Sequence, residues 1–366
     1  MSTAAATLHE AVKSHTAEDV MNFTAEKKAN DLLKHNTPAK PEGGDQQPVI
    51  VIDSKMTPLE ASKILWSRDI MGAPVYDAGK KTYVGMFDVR DILSCVTSAH
   101  REYLAMMGRH KPGEDTALPH DMDAHRKAQG ELMAKALQNI KINTSPPSPG
   151  AITVSYLAAR NPMKGHSKEE NLVEICKDLE KRGTHRVGIM DNSSGSPVCT
   201  GIISQSGLVD FIFSKCPPGS LEEKLSECGI PYKKEVAKIS DEATAADAFE
   251  LLDSKRLSGI AVVDEDGVLI GNTSARDIKH AIIDGGKTGM DMDIISYLAQ
   301  VRQSQIRKNE RFPSCHVYED ATVGHVVGLL AKTGYHRVFV VDAEKKPIGV
   351  VSFADVLRWM LEKGGE

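Results

Sequence analysis

Three carboxylates with the same surroundings are the residues of this sequence best placed to do chemistry. Asp91, Asp277 and Asp355 each stand six positions after a glycine, where a strand-like segment passes into a helix-like one. A carboxylate at a helix start can bind a polar ligand, because charge-assisted hydrogen bonds are strong. It can instead be only a partner of the helix dipole. The repetition of this spacing favours the ligand contact.

Two basic pairs form the second set of candidate residues. His185-Arg186 and His336-Arg337 each lie directly before an apolar run. Arginine binds phosphate groups in a bidentate manner, and histidine adds a further donor. A basic pair at the start of a strand can equally be a solvated edge. The sequence leaves these two interpretations equally supported.

The elements that must position these residues are clearest in residues 335–357. The run 338–341 is apolar at every position, which predicts a strand that is covered on both faces. A polar turn and a second strand follow. Ser352 then fits the N-cap of a helix that carries Asp355 in its first turn. Such a strand–turn–strand–helix unit can form a small shelf for a polar ligand.

The same unit occurs four times, and an internal repeat of this kind defines the fold. Each copy begins with an amphipathic segment, for which Thr57-Pro58 predicts a capped helix start and Ser167 with Glu170 predicts a capping box. The amphipathic segments are 57–69, 167–183, 241–257 and 320–334, and the repeated glycines are Gly85, Gly201, Gly271 and Gly349.

These repeats resemble a known family. A β-α-β-β-α unit that ends in glycine, two apolar residues, Ser or Thr, and an Asp three positions later is similar to the cystathionine-β-synthase (CBS) motif. Four copies, with His-Arg in the second and fourth, most resemble the gamma subunit of AMP-activated protein kinase and its yeast and plant relatives. The resemblance implies an α+β fold, in which four CBS motifs pair into two Bateman modules that form a disc.

The resemblance also implies roles for individual residues. The aspartates would hold the two ribose hydroxyls of an adenine nucleotide, and helix-start hydroxyls would lie near its phosphates. Apolar strand residues would face the adenine, and the basic pairs would meet the phosphates. The residues so assigned are Asp91, Asp277 and Asp355, then Ser204, Ser274 and Ser352, then Val262 and Val340, and finally His185, Arg186, His336 and Arg337.

Departures from the family pattern rank the four sites. Gly207 stands where repeat 2 would need its aspartate, so no ribose contact is expected there. Asp88 replaces the hydroxyl of repeat 1, and a second carboxylate would repel a phosphate. Met71 and Ser206 occupy positions that are basic in the kinase subunits, which removes positive charge. Repeats 3 and 4 are therefore the favoured sites.

Composition and length set the remaining limits. The 366 residues carry a net charge of −5 without a basic cluster, which argues against a nucleic-acid partner. Six scattered cysteines are typical of reduced thiols. The absence of a signal peptide or membrane-length apolar run predicts a cytoplasmic or nuclear protein with no membrane partner.

The expected domains are an extension and linker (1–48), module 1 (49–215), a linker (216–231) and module 2 (232–366). Module 1 contains CBS1 (about 49–97), an insertion (98–150) and CBS2 (151–215). Module 2 contains CBS3 (about 232–284) and CBS4 (about 312–366).

Other constellations do not fit known sites. Residues 285–288 read GGKT but follow a helix-like segment, unlike a phosphate-binding loop. Histidines and aspartates in the insertion match no metal spacing, so no metal is expected. A shared VSYLA/ISYLA sequence at 154–158 and 295–299 is typical of a duplicated connector helix. The pattern Gly-x-Ser-x-Gly and other catalytic constellations are absent, so the chain is not expected to be an enzyme, although the insertion leaves that class open.

Two functional hypotheses follow from the sequence. In the first, the chain binds AMP, ADP or ATP in repeat 3 or 4, where a nucleotide bridges an aspartate of one motif and a His-Arg pair across the module interface. The chain would then be an energy-sensing regulatory subunit, with protein kinase catalytic or scaffold subunits as partners. In the second, the chain is a self-assembling CBS scaffold whose partners are further copies of itself in oligomers or filaments.

Overall fold

The chain folds as four similar α+β units. The computed structural model describes residues 2–34, 49–106, 131, 152–193, 195–283, 289–306, 315–333 and 335–364. Within these ranges each sequence repeat forms its own three-stranded sheet. The predicted α+β class and the four repeated units are therefore confirmed.

The four sheets share one topology. In each sheet the second strand is central, parallel to the short first strand and antiparallel to the third. The central strand of repeat 4 is buried at residues 338–341, as its apolar run predicted. The strands are β1 (Ile52–Asp53), β2 (Gly72–Asp77), β3 (Thr82–Asp88), β4 (Gly165–His166), β5 (Arg186–Asp191), β6 (Val198–Ser204), β7 (Lys238–Ser240), β8 (Gly259–Val263), β9 (Leu269–Ser274), β10 (His316–Tyr318), β11 (Arg337–Val341) and β12 (Pro347–Ser352).

Two helical segments accompany each sheet, one after its first strand and one after its third. Further helices precede repeats 1, 2 and 4, and those before repeats 2 and 4 contain the VSYLA and ISYLA sequences. The helices are α1 (Thr3–Lys13), α2 (Ala17–Lys34), α3 (Pro58–Ser67), α4 (Val89–Met106), α5 (Val154–Ala159), α6 (Leu172–Leu179), α7 (Gln205–Lys215), α8 (Ala245–Ser254), a 3₁₀ helix (Ala275–Lys279), α9 (His280–Ile283), α10 (Ile294–Ile306), α11 (Val323–Thr333) and α12 (Phe353–Gly364).

Helix starts follow the capping rules, with one correction. Thr57 caps α3 in a reciprocal capping box with Glu60, and Pro58 is the first helical residue, as predicted. The capping box predicted for Ser167 does not start α6. That helix begins at Leu172, and its cap is Asn171, whose side-chain oxygen accepts from the N–H of Val173 at 2.8 Å. An amide oxygen immediately before the helix replaces the more distant hydroxyl.

Contacts along the chain define two compact units. The odd unit (Val51–Pro162 and Val236–Ser314) contains repeats 1 and 3, and the even unit (Met1–Ile50, Met163–Glu235 and Cys315–Glu366) contains repeats 2 and 4. Each unit has its own hydrophobic core. The predicted modules, 49–215 and 232–366, each contain two consecutive repeats. This pairing of repeats differs from that in the compact units, and it stays a prediction.

A connecting segment lies across the last strand of a repeat in each unit. In the odd unit, the carbonyl of Asn161 accepts from the N–H of Met86 in β3 at 2.8 Å. In the even unit, the carbonyl of Tyr232 accepts from the N–H of Val350 in β12 at 3.0 Å. Each segment precedes a different repeat from the one it covers. A repeat is therefore completed by residues from elsewhere in the sequence.

These crossings explain the repeated glycine in repeats 1 and 4. A Cβ atom at Gly85 would lie 2.0 Å from the carbonyl oxygen of Ala158, and one at Gly349 would lie 2.4 Å from the carbonyl oxygen of Tyr232. Both distances are shorter than any side chain allows, so the crossing backbone requires glycine at these positions. The sequence revealed the period of the glycine but not its cause.

The N-terminal helices are part of the core of the even unit. Leu8 and Val12 of α1 are 1% and 0% exposed and belong to the same apolar cluster as the helices of repeats 2 and 4. The hydroxyl of Ser2 donates to Glu223 at 2.6 Å. The sequence predicted helices here but assigned them to an extension outside the repeats.

Several predicted features lie outside the described residues. They are the linker at 36–48, the GGKT sequence and most of the insertion, including the helical spacing predicted for 123–140. In the described ranges, no helix combines the length and apolar character needed to cross a bilayer. All six cysteines are free, and five of them are buried.

We expect Leu8→Ala to destabilise the chain by about 2–5 kcal/mol, because it removes a fully buried side chain and leaves a cavity. Urea unfolding of the full chain measures the change. Glu10→Ala, an exposed position on the same helix, is the matched control and should have little effect. Equal stability of the two variants would show that α1 is not part of the cooperative core.

Candidate functional site

One pairing of strands sets the position of the candidate residues in every repeat. The residue that begins the central strand lies opposite the residue that ends the third strand and caps the following helix. The pairs are Gly72 with Asp88, Arg186 with Ser204, Gly259 with Ser274, and Arg337 with Ser352. The first residue of each pair therefore determines what faces the helix start. It is glycine in repeats 1 and 3 and arginine in repeats 2 and 4.

The aspartate three positions after the cap has a structural role. In repeat 3, Oδ2 of Asp277 accepts from the N–H of Ser274 at 2.8 Å and from its hydroxyl at 3.0 Å. In repeat 4, Oδ2 of Asp355 accepts the corresponding bonds from Ser352 at 2.8 and 2.7 Å. One oxygen of each carboxylate is thus committed to the helix start. A purely structural role as a partner of the helix start therefore explains only this one oxygen of each carboxylate.

Asp277 keeps its second oxygen available. The carboxylate accepts three hydrogen bonds, including a longer one from Thr273, and all three reach Oδ2. Oδ1 accepts none from the part of the chain that the structure describes. The residue is only 7% exposed. Opposite the cap stands Gly259, which contributes no side chain. The hydroxyl of Tyr297 donates to the backbone carbonyl of Asp277 at 2.7 Å and fixes this turn.

Asp355 has the same backbone setting but different neighbours. The Lys234 ammonium donates to Oδ1 at 2.9 Å and to Oδ2 at 2.8 Å. Arg337 stands opposite the cap, where burial lowers the pKa of its guanidinium to about 10 and the negative charge of Asp355 opposes that shift. Arg337 therefore remains charged at neutral pH. Two cations surround this carboxylate.

Repeat 1 brings two carboxylates together, as its sequence predicted. Oδ2 of Asp91 accepts from the N–H of Asp88 at 2.9 Å, while the Asp88 carboxylate pairs with Arg90 at 3.2 Å. Burial, and next the negative charge of Asp88, raise the pKa of Asp91 well above its ordinary value. A raised pKa disfavours the charged form of Asp91 and so makes it a weaker acceptor for ligand hydroxyls.

Repeat 2 lacks a carboxylate at the corresponding place. The N–H of Gly207 donates to the hydroxyl of Ser204 at 3.1 Å, so Ser204 acts as the helix cap. A ring nitrogen of His185 lies 3.1 Å from the amide oxygen of the buried Gln205. Gln205 also donates to the carbonyl of Leu179 at 2.7 Å. His185 is therefore tied to the framework of its own repeat.

The predicted site residues divide between the two compact units. Asp91, Val262, Ser274 and Asp277 lie in the odd unit. Both His-Arg pairs lie in the even unit with Ser204, Val340, Ser352 and Asp355. In repeat 4 the strand pairing brings Arg337 beside Ser352, and the His336 ring lies edge-on to Phe353 with centroids 5.6 Å apart. The bridge from a His-Arg pair to Asp277 stays a prediction.

The residues proposed to face adenine are core residues. Val262 and Val340 are both 0% exposed and lie inside the two hydrophobic clusters. Their side chains offer no open surface in this structure, because each belongs to a central strand that is covered on both sides. Their contact with adenine stays a prediction.

Sequence reasoning missed Lys234 as a member of the site. The residue lies in the segment that crosses β12, 121 positions before Asp355 in the sequence. The only signal was the pair Lys233-Lys234 near the border between the predicted modules. In the described ranges, no group of three or more His, Cys, Asp or Glu residues is arranged to hold a metal ion.

Comparison with protein families matches the repeats. The CBS domain model matches residues 46–98, 230–284 and 312–362, which correspond to repeats 1, 3 and 4. Repeat 2 is not among these matches. Its three-stranded sheet has the same strand order and pairing as the other three, so the structure identifies the fourth unit.

Curated relatives include kinase subunits and a fungal protein. The chain is 23% identical over 314 residues to the pig (Sus scrofa) 5'-AMP-activated protein kinase subunit gamma-3, covering 85% of this chain and 53% of that protein. It is 24% identical to the human subunit gamma-3, covering 85% and 56%. Protein sds23 of Neosartorya fischeri is 25% identical over 269 residues, covering 72% and 45%. The chain thus spans about half the length of these relatives.

A solved structure supports the same fold. Protein MJ1225 of Methanocaldococcus jannaschii, which has been compared to the gamma subunit of AMP-activated protein kinase, superimposes with a TM-score of 0.55 at 13% identity. The match covers 86% of this chain and 97% of MJ1225. At this identity the likeness concerns the fold. It extends over nearly the whole of both chains, which agrees with four repeated units.

We expect Asp91→Asn to be more stable than the wild type at about pH 7 and to lose this advantage towards about pH 4. The raised native pKa makes ionised Asp91 costly, and that cost appears as pH rises through the native pKa. Asparagine keeps an acceptor for the N–H of Asp88 without the charge. Urea unfolding across this pH range measures the difference.

Glu60→Gln is the control, because the effect of this substitution on stability at neutral pH should have the opposite sign. The hydrogen bonds from Thr57 lower the pKa of Glu60, so its contribution is present at neutral pH and is lost in acid. This variant should therefore be less stable than the wild type at neutral pH only. A gain for Asp91→Asn that does not change with pH would contradict the assigned cause.

Proposed function

We propose that this chain, a CBS-domain protein that resembles the gamma subunits of AMP-activated protein kinase, is a regulatory protein that binds adenine nucleotides. The proposed ligands are AMP, ADP and ATP, and the primary ribose contact is Asp277. The names of the relatives support an adenylate ligand, and the geometry of repeat 3 supports the assignment of the residue.

The two oxygens of Asp277 carry this proposal. Oδ2 is held by Ser274, and Oδ1 accepts no hydrogen bond from any described residue. A buried carboxylate with an unused oxygen is costly unless a donor reaches it. Two vicinal hydroxyls of a ribose are suitable donors, since one carboxylate can accept from both with charge-assisted strength. The helix cap would meanwhile keep the carboxylate in a fixed orientation.

The surroundings of Asp277 favour it over the other aspartates. Gly259 leaves the position opposite the cap without a side chain, whereas Arg337 occupies this position in repeat 4. Asp91 has a raised pKa beside Asp88, and Asp355 is already paired with Lys234. Repeat 3 therefore combines a carboxylate acceptor with the fewest competing groups.

The remaining contacts of the nucleotide are proposed from the family resemblance. His185, Arg186, His336 and Arg337 would meet the phosphates, since arginine binds phosphate oxygens in a bidentate manner. The number of phosphates would then be the quantity that the protein senses. These four residues lie in the even unit and Asp277 lies in the odd unit.

Nucleotide binding would provide the regulatory output. A ligand shifts a conformational equilibrium only by the difference between its affinities for the two states. Subunits of a protein kinase are the proposed readers of that shift, because several of the curated relatives are kinase subunits. No observation in the described residues favours the alternative of a self-assembling scaffold, which stays a prediction. A regulatory role without catalysis is part of the same proposal.

We expect Asp277→Asn to weaken AMP binding about 10- to 100-fold, which corresponds to the loss of a charge-assisted contact of about 1.5–3 kcal/mol. Asparagine retains an oxygen for Ser274, so the helix start should survive. Calorimetric titration of the full chain with AMP measures the change.

The matched control is Asp247→Asn in the same repeat. Asp247 accepts from the N–H and hydroxyl of Thr244 at 3.0 and 2.7 Å in the same type of capping box, but it lies outside the proposed site. This variant should bind AMP like the wild type. Unchanged binding by Asp277→Asn, or an equal loss in both variants, would refute the ribose assignment.

A further inference from the structure

The carboxylate of repeat 4 is occupied by a residue of the chain itself. The ammonium of Lys234 donates to both oxygens of Asp355, at 2.9 and 2.8 Å. Oδ2 also accepts from Ser352, as the corresponding oxygen of Asp277 does from Ser274. The difference between the two sites is therefore at Oδ1. It is engaged by Lys234 in repeat 4, and no described residue donates to it in repeat 3.

Lys234 supplies the same chemistry that a ribose would supply. An ammonium group offers several N–H donors, and two of them here reach one carboxylate. A vicinal diol offers two O–H donors to the same pair of oxygens. Both cannot occupy these oxygens at once, since the Ser352 bonds already take part of the capacity of Oδ2. The lysine and the sugar are thus competitors.

The backbone that carries Lys234 is anchored, but its side chain can move. Tyr232 is fixed by the bond from Val350 to its carbonyl and by its own hydroxyl, which donates to Glu319 at 2.6 Å. Lys233 forms a backbone bridge with Gly349. The Lys234 side chain is 38% exposed, so it can leave Asp355 for solvent without unfolding this segment.

We infer that Lys234 is an intramolecular plug that closes the nucleotide site of repeat 4. The inference rests on the proposed function, because it concerns access of an adenylate ribose to Asp355. A nucleotide can use this carboxylate only after the lysine has left it. The site of repeat 4 therefore binds more weakly than that of repeat 3, and the chain responds to nucleotide in two steps.

The plug also links ligand binding to the connection between repeats. Lys234 lies between repeat 2 and repeat 3 in sequence, and its segment completes the last strand of repeat 4. Binding at Asp355 releases one of the contacts that hold this segment on β12. Occupancy of the repeat 4 site thus changes the restraint on a segment that joins two repeats.

The test is AMP titration of Lys234→Met in the full chain that also carries Asp277→Asn, so that the repeat 4 site is observed alone. Methionine keeps the length of the side chain and removes the donors. Arg337 remains opposite Ser352, so the variant does not leave Asp355 without a nearby cation. We expect affinity to rise about tenfold over the Asp277→Asn parent, in line with the loss of a competing charged hydrogen bond.

Three further variants separate the plug from a general effect of charge. Lys233→Met removes the neighbouring cation, which is 69% exposed and pairs with Glu319 at 2.8 Å, and should leave the affinity unchanged. Lys234→Arg retains a donor group for the carboxylate and should keep the site closed. Adding Asp355→Asn to Lys234→Met should abolish the gain.

Acylation of lysines by an amine-reactive reagent, read by mass spectrometry, tests the unmodified sequence. Without nucleotide, Lys234 should react more slowly than Lys233, and saturating AMP should accelerate the reaction of Lys234. Slower reaction with AMP, together with weaker binding by Lys234→Met, would identify a phosphate contact and overturn the plug. If the wild type binds AMP and Lys234→Met brings no gain, the plug alone is wrong. If neither the wild type nor any variant binds AMP, both the proposed nucleotide binding and the plug are wrong.

Discussion

The bond between a helix-start carboxylate and its own cap is the interaction on which repeats 1, 3 and 4 depend. It satisfies N–H groups that would otherwise have no partner at the start of the helix, and it fixes one carboxylate oxygen in space. Because the cap uses only one oxygen, the same residue can serve both the fold and a ligand. A recurrent aspartate is therefore compatible with a structural role in repeats 1, 3 and 4 and a binding role in some of them.

What distinguishes the repeats is the residue that the sheet places opposite that cap. Strand pairing puts glycine there in repeats 1 and 3 and arginine in repeats 2 and 4. In repeat 1 burial and a second carboxylate raise the pKa of Asp91, while in repeat 4 Lys234 and Arg337 surround Asp355. One backbone geometry thus gives four electrostatic environments. Affinity for a polar ligand should therefore vary among the four repeats, although their strand–turn–strand–helix geometry is the same.

The crossing segments give the repeats a second kind of connection. Asn161 completes the last strand of repeat 1 and Tyr232 completes that of repeat 4, each from a position before another repeat. The close approach of backbone to backbone accounts for glycine at Gly85 and Gly349. These crossing segments connect distant parts of the chain within each compact unit. One of them also places Lys234 beside a carboxylate that lies far from it in sequence.

The sequence by itself determined the four repeats, the central apolar strands and the helix-start carboxylates of repeats 1, 3 and 4, because these depend on local periodicity and capping chemistry. It also identified the missing aspartate at Gly207 and the paired carboxylates of repeat 1. Tertiary structure alone decided that the N-terminal helices belong to a core and that Lys234 reaches Asp355. These facts depend on contacts between residues far apart in the chain, for which local patterns hold no signal.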